Sequence, residues 1–116
     1  MNEELFKART RKIGLEVIGL VESLPRSRTG DVIGRQLIRS GTSIGANYRA
    51  ACRGKSKADV IAKLAIVEEE ADETIYWLEL LVESKVVETS HVNSLLRECN
   101  EIVAMVVASI KTLRGR

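Results

Sequence analysis

Arg35, Arg39, Arg49 and Arg53 fall within an arc of roughly 80° when residues 35–53 are plotted at about 100° per residue. Guanidinium groups on one helix face match phosphate oxygens in pairs, so the chemistry on offer is binding to an anionic backbone. Lys55 and Lys57 follow at once and extend the basic run to about 30 Å. Aromatic residues make up only 3% of the chain, which leaves no platform for stacking single-stranded bases. Reading of backbone and shape suits this composition better. The competing reading pairs these arginines with acids of the same chain, and the residues alone do not choose between the two.

Catalytic chemistry has less to stand on. Gly54-Lys55-Ser56 ends like a phosphate-binding loop, but the glycine required five positions before Gly54 is Arg49, and no strand precedes it. Gly41-Thr42-Ser43-Ile44-Gly45 fits a helix interior better than a glycine-rich loop. Glu68, Glu69, Glu70, Asp72 and Glu73 form a dense acidic cluster. Di-metal bundles add Glu-x-x-His motifs to such carboxylates. This chain has one histidine, His91, and no such motif. No Ser/His/Asp or Cys/His set can be assembled around it. No catalytic residue, metal site or cofactor is expected, and the chain is read as a non-enzyme.

The net charge of +2 conceals a division. Residues 1–57 carry 12 Lys/Arg against 5 Asp/Glu, whereas residues 58–116 carry 6 against 11. Such a split suits pairing of helices within or between chains, and equally a basic face for an anionic partner. At 116 residues and 45% hydrophobic, the chain is one domain with an aliphatic core. No run of about 18 apolar residues exists, so no membrane span is expected. The N-terminus lacks the apolar region of a secretory signal, so a cytoplasmic location is expected. Cys52 and Cys99 then read as reduced, buried thiols rather than as a disulfide.

Periodicity predicts four helices, at about 3–24, 30–53, 56–84 and 90–113. Phe6, Ile13, Val17, Leu20 and Leu24 form the first apolar stripe, which Pro25 ends. Gly54 suits a left-handed residue closing helix two. Ser56 and Asp59 resemble a capping box, and Ser90 is the expected N-cap of helix four. Val60, Leu64, Val67, Ala71, Ile75, Leu78 and Val82 repeat at spacings of four and three, as do Val92, Leu96, Cys99, Val103, Val106, Ile110 and Leu113. Four helices with short loops fold most simply as an all-α, up-down-up-down bundle.

Helix three carries more apolar residues than one core needs. Ile66 and Trp77 lie off its main seam, on a stripe with Lys63, Glu70 and Glu73. Trp is a favoured interface anchor. Helix two offers small residues, Gly34, Gly41 and Gly45, for close approach, and lines another side with Ser40, Ser43 and Asn47. A homo-oligomer is expected through Ser40, Ser43, Asn47, Lys63, Ile66, Glu70, Glu73 and Trp77, with the small face of helix two against a neighbouring subunit.

The stretch from Gln36 to Leu81 resembles the four-helix-bundle family named for the 23S rRNA intervening-sequence protein. Arg39-Ser40-Gly41-Thr42-Ser43-Ile44-Gly45-Ala46-Asn47-Tyr48 carries the resemblance, followed by Ser56-Lys57, Lys63-Leu64, Glu70-Ala71-Asp72-Glu73-Thr74 and Tyr76-Trp77-Leu78. Ala51 stands where a glutamate is expected, and Val60 where a phenylalanine is usual. The resemblance implies a left-handed bundle assembling as a ring, a pentamer. It also implies genes lying in 23S rRNA insertions, and a related branch that assists the reverse transcriptase of diversity-generating retroelements. A reverse transcriptase and RNA or DNA are the partners it suggests. The combined expectation is a non-enzymatic oligomeric bundle binding structured nucleic acid through Arg35, Arg39, Arg49, Arg53, Lys55 and Lys57. The alternative is a homo-oligomeric scaffold or protein-interaction module with no nucleic-acid role.

Overall fold

Apolar residues at helical spacing demand that each helix bury one stripe, and the four stripes meet in a single core. The computed structural model describes residues 2–115. It contains α1 (Glu3–Glu22), α2 (Arg28–Cys52), α3 (Lys57–Glu83) and α4 (Asn93–Arg114), with one 3-10 turn at Thr89–His91. Consecutive helices pack on one another, and a thinner α1–α4 seam closes the square. This is an up-down-up-down four-helix bundle about 48 Å long. Phe6, Ile13, Val17, Leu37, Ile44, Val67, Leu78, Cys99, Ile102 and Val106 are all buried in the core.

The chain ends of the helices differ from expectation in instructive ways. Helix α1 closes at Glu22, two residues early, as Ser23 and Leu24 turn back onto the carbonyls of Leu20 and Val21. Helix α2 begins at Arg28 rather than Gly30, because Ser27 Oγ accepts the Gly30 N–H at 2.9 Å. Ser56 caps α3 through the Asp59 N–H, and the Asp59 carboxylate accepts from the Lys55 backbone N–H. Ser90 does not cap α4. It lies in the 3-10 turn, and Val92 takes the cap position without a side-chain hydrogen bond.

Glycines serve approach rather than turning. Gly54 has no positive φ, so the left-handed closure expected there does not occur. A Cβ at Gly54 would stand 2.3 Å from Val60 Cγ2, so the glycine admits the first turn of α3. The small face of α2 meets α1 of the same chain, not a neighbouring subunit. A Cβ at Gly41 would stand 2.7 Å from Val17 Cγ2, and one at Gly34 would stand 3.1 Å from Val21 Cγ1. The left-handed residue is instead Lys85, with φ 66°. Its N–H reaches the Val82 carbonyl and the Val86 N–H reaches that of Leu81, the two bonds of a Schellman closure. A non-glycine residue there costs about 1–2 kcal/mol. Lys85→Gly relieves that strain against a smaller entropic loss. It is expected to raise the unfolding free energy by about 0.5–1 kcal/mol in urea titrations.

Arg9 ties the thin α1–α4 seam. Its guanidinium donates to Glu98 Oε1 at 2.7 Å, to Glu101 Oε2 at 3.3 Å and to Met105 Sδ at 3.2 Å. The hydrogen bond from Arg9 holds the Glu98 carboxyl below its ordinary range, despite some burial. The depressed folded value makes this contribution fully present above the unfolded pKa of about 4.5 and lost as pH falls through the folded value. Glu98→Gln is therefore expected to lower stability at neutral pH by about 1 kcal/mol. The gap from the wild type should close in melts below pH about 4.

Candidate nucleic-acid and assembly surfaces

Helix α2 projects its arginines outward because its core stripe, through Ile33, Leu37, Ile44, Tyr48 and Ala51, faces the other way. The fold then divides the basic set. Arg39 is not a free cation: it reaches across to α3 and pairs with Glu70 Oε2 at 3.2 Å and with Glu73 Oε2. Arg35, Arg49 and Arg53 are exposed and enter no salt bridge among the described residues. Lys55 and Lys57 are exposed in the α2–α3 turn and at the start of α3.

The up-down order supplies cations that no sequence window shows. The starts of α1 and α3 and the ends of α2 and α4 share one end of the bundle, where Glu3, Cys52, Val60 and Thr112 line a common cleft. Lys111 and Arg114, in the last turn of α4, thereby join Arg49, Arg53, Lys55 and Lys57. The acids of that end are already engaged. Asp59 pairs with Lys63, while Glu3 and Glu4 pair with Lys7. The last turn of α4 lies some 55 residues from the α2–α3 turn, and only topology brings them together.

The residues expected at an oligomer interface mostly form an intramolecular network between α2 and α3. Ser40 and Thr74 are fully buried, with their hydroxyls 2.9 Å apart. Ser40 is thus withdrawn from any intersubunit surface, because α3 of its own chain covers it. Ser43 Oγ donates to Glu70 Oε2 at 2.8 Å, and Trp77 Nε1 donates to Glu73 Oε2 at 3.0 Å. Asn47 donates to the Ser43 carbonyl of its own helix. Lys63 is held by Asp59, one turn back, at 2.7 Å. Ile66 remains exposed, as does Tyr76. Exposed apolar residues also appear where none was singled out: Leu15 and Ile18 on α1. They border an open groove of about 610 Å³ between α1 and α2, with Ala8, Arg11, Ala46 and Arg49.

The titratable groups fit structural roles. Burial pushes the Cys99 thiol up to about 12, and burial also raises Cys52, so neither is a ready thiolate. Burial raises the Tyr48 hydroxyl as well. His91 is exposed in the 3-10 turn. No group of three or more His, Cys, Asp and Glu suited to a metal ion occurs among the described residues. No helix among them is long and apolar enough to cross a membrane.

Glu70 is the centre of the α2–α3 network, with both Arg39 and Ser43 on one carboxylate oxygen. Glu70→Ala removes the carboxylate that Arg39 and Ser43 share, leaving Arg39 to Glu73 and the Ser43 hydroxyl to the Ser40 carbonyl. The expected loss is about 0.5–1.5 kcal/mol of stability in denaturant titrations, followed by the fluorescence of Trp77 two turns along α3.

The comparisons with known proteins agree with this architecture. A family model described as 23S rRNA-intervening sequence protein matches residues 5–108. A crystal structure of a protein of unknown function from the S23 ribosomal protein family of Bacteroides thetaiotaomicron superposes with a TM-score of 0.88 at 35% identity. That alignment covers 96% of this chain and 99% of the other. No curated protein matches the chain. A family match across nearly the whole bundle, with a closely superposing structure, has one reading: this chain belongs to the 23S rRNA-intervening sequence protein family.

Proposed function

We propose that the chain is a non-enzymatic, self-associating helical bundle that binds the phosphate backbone of structured nucleic acid. The observation that carries this reading is the basic end of the bundle. Arg49, Arg53, Lys55 and Lys57 share it with Lys111 and Arg114, and Arg49 and Arg53 enter no salt bridge among the described residues. Guanidinium and ammonium groups at one end offer several phosphate contacts with no base-reading element beside them. The binding would therefore read charge and shape, not sequence. The absence of an activated thiol and the exposed, unsupported His91 favour a non-enzymatic role.

The basic surface is narrower than the six residues read from helix spacing. Arg39 spends its charge on Glu70 and Glu73, and Arg35 lies toward the opposite end of α2. The pairing of Arg39 is also the observation that favours a second reading, a self-associating scaffold in which arginines serve the protein itself. A salt titration separates the two. Four phosphate contacts give a slope of about −3.6 in log K against log salt, or a loss of roughly 150-fold between about 50 and 200 mM. A duplex or hairpin RNA of mixed sequence is the probe. Arg49→Ala with Arg53→Ala should reduce the slope by about 1.8 and leave the thermal melt unchanged. Absence of binding at low salt, or binding indifferent to salt, rejects the nucleic-acid role and favours the scaffold.

A further inference from the structure

Helix α1 runs out before the other three. Phe6 is its first residue to enter the core, with its ring centroid 4.3 Å from that of Tyr48. Residues 2–5 are all exposed. Arg9 reaches Met105, and from that level α1 has six residues left to Glu3, whereas α4 has nine left to Arg114. The layer beyond Phe6 and Tyr48 therefore takes walls from α2, α3 and α4 and almost nothing from the fourth side. Helix α2 fills little of the space, because Ala51 stands there. A bundle layer with three walls leaves a gap at the end of its core.

That gap is an open cleft of about 710 Å³. Small-molecule sites span roughly 300–1,000 Å³, so the cleft has their size. Its floor is core: Ala51 and Leu64 are nearly fully buried. Val60, Met105 and Leu113 form half-buried walls, and Ala108 stands exposed among them. Water in such a cleft meets mostly carbon. An aliphatic chain that replaces it is stabilised in proportion to the apolar area taken out of water.

Three hydroxyls line the same space. Tyr48 is only 6% exposed, and its hydroxyl has the Cys52 thiol as its hydrogen-bond partner, a weak one. Ser109 and Thr112 make no side-chain hydrogen bond among the described residues. Elsewhere in the bundle such hydroxyls bond back to a carbonyl three or four residues earlier, as at Thr42, Ser43 and Thr74. Charge is balanced at this site. Glu3 is the one charged residue lining the cleft among the described residues, and it pairs with Lys7 at 3.4 Å. An anionic head group would face Glu3, and a cationic one would have to displace Lys7. A neutral hydroxyl meets neither obstacle, and it both donates and accepts.

We infer that the cleft at this end of the bundle binds a neutral amphiphile, a single aliphatic chain ending in a hydroxyl. The chain lies on Ala51, Leu64 and Met105, and its hydroxyl is held by those of Tyr48, Ser109 and Thr112. The site is separate from the phosphate contacts proposed above, since Arg49, Arg53, Lys55, Lys57, Lys111 and Arg114 do not line it.

Titration of the full chain with 1-octanol, followed by calorimetry and by amide chemical shifts, tests the site. Saturable binding is expected, with shifts concentrated around Leu64 and Ser109 and absent at Lys85, at the far end of the bundle. From 1-hexanol through 1-heptanol to 1-octanol the dissociation constant should fall about fourfold per methylene. Octanoate and octylammonium should bind about tenfold more weakly than octanol, or worse. Ala108→Phe, at an exposed wall position, should weaken octanol about tenfold with unchanged helical circular dichroism. Tyr48→Phe and Ser109→Ala should each weaken it about two- to tenfold. Binding that does not saturate, shifts spread over the whole bundle, or an affinity untouched by Ala108→Phe overturns the site. Octanoate or octylammonium binding as tightly as octanol overturns the neutral head group. Wild-type affinity in both Tyr48→Phe and Ser109→Ala overturns the hydroxyl contacts.

Discussion

The approach of α1 to α2 at Gly41 and Val17 is the constraint on which the rest depends. Val17 is fully buried and occupies the space where a Cβ of residue 41 would sit. Two helices can come this near only where one of them lacks side chains. Their outer flanks are then drawn together too, which leaves a shallow groove rather than a deep cleft. Leu15 and Ile18 cannot turn inward, because the inner positions of that stretch are taken by Ile13, Gly14 and Val17. The same close packing that builds the core therefore exposes apolar surface on the outside of α1.

The other flank of α2 is governed by charge. Glu70 is only 18% exposed at its side chain, and a carboxylate so placed needs donors. Arg39 and Ser43 supply them, and Glu73 shares Arg39 while accepting from Trp77. This local cancellation divides the basic helix into parts with different fates. Its middle is neutralised against α3, and its C-terminal turn keeps its charge. The overall division into a basic half and an acidic half is thus resolved partly by contact within the chain and partly left open at one end.

How legible this was depends on the range of each interaction. The bundle followed from periodicities of three and four, because apolar spacing is a local signal and the family resemblance reinforced it. The Ser56 cap was equally local. Ser27 gives no cap signal in sequence because no apolar run follows it at once, and Gly54 reads as a left-handed closure because a glycine after a helix has two uses that look alike in sequence. Arg9 with Glu98, and Lys111 with the α2–α3 turn, join residues tens of positions apart, and no spacing rule reaches that far. The α3 stripe was visible, but its partners were not. Wheel angles put Glu70, Glu73 and Trp77 on a common side without saying that Arg39 and Ser43 of the same chain already stand there.

Under the proposed function, self-association and phosphate binding are thermodynamically coupled. A single basic end makes only a few phosphate contacts, and each is weakened by salt. If self-associated copies present that end side by side, a nucleic acid long enough to span them engages the second patch at an effective concentration set by the assembly, not by bulk solution. The salt slopes of the engaged patches add. Binding then favours the assembled state, and assembly favours binding by the same factor, since the linkage is reciprocal. Self-association and the basic end would in this sense act as one device: the number of copies sets how many weak patches act together, and so sets both the affinity and its sensitivity to salt.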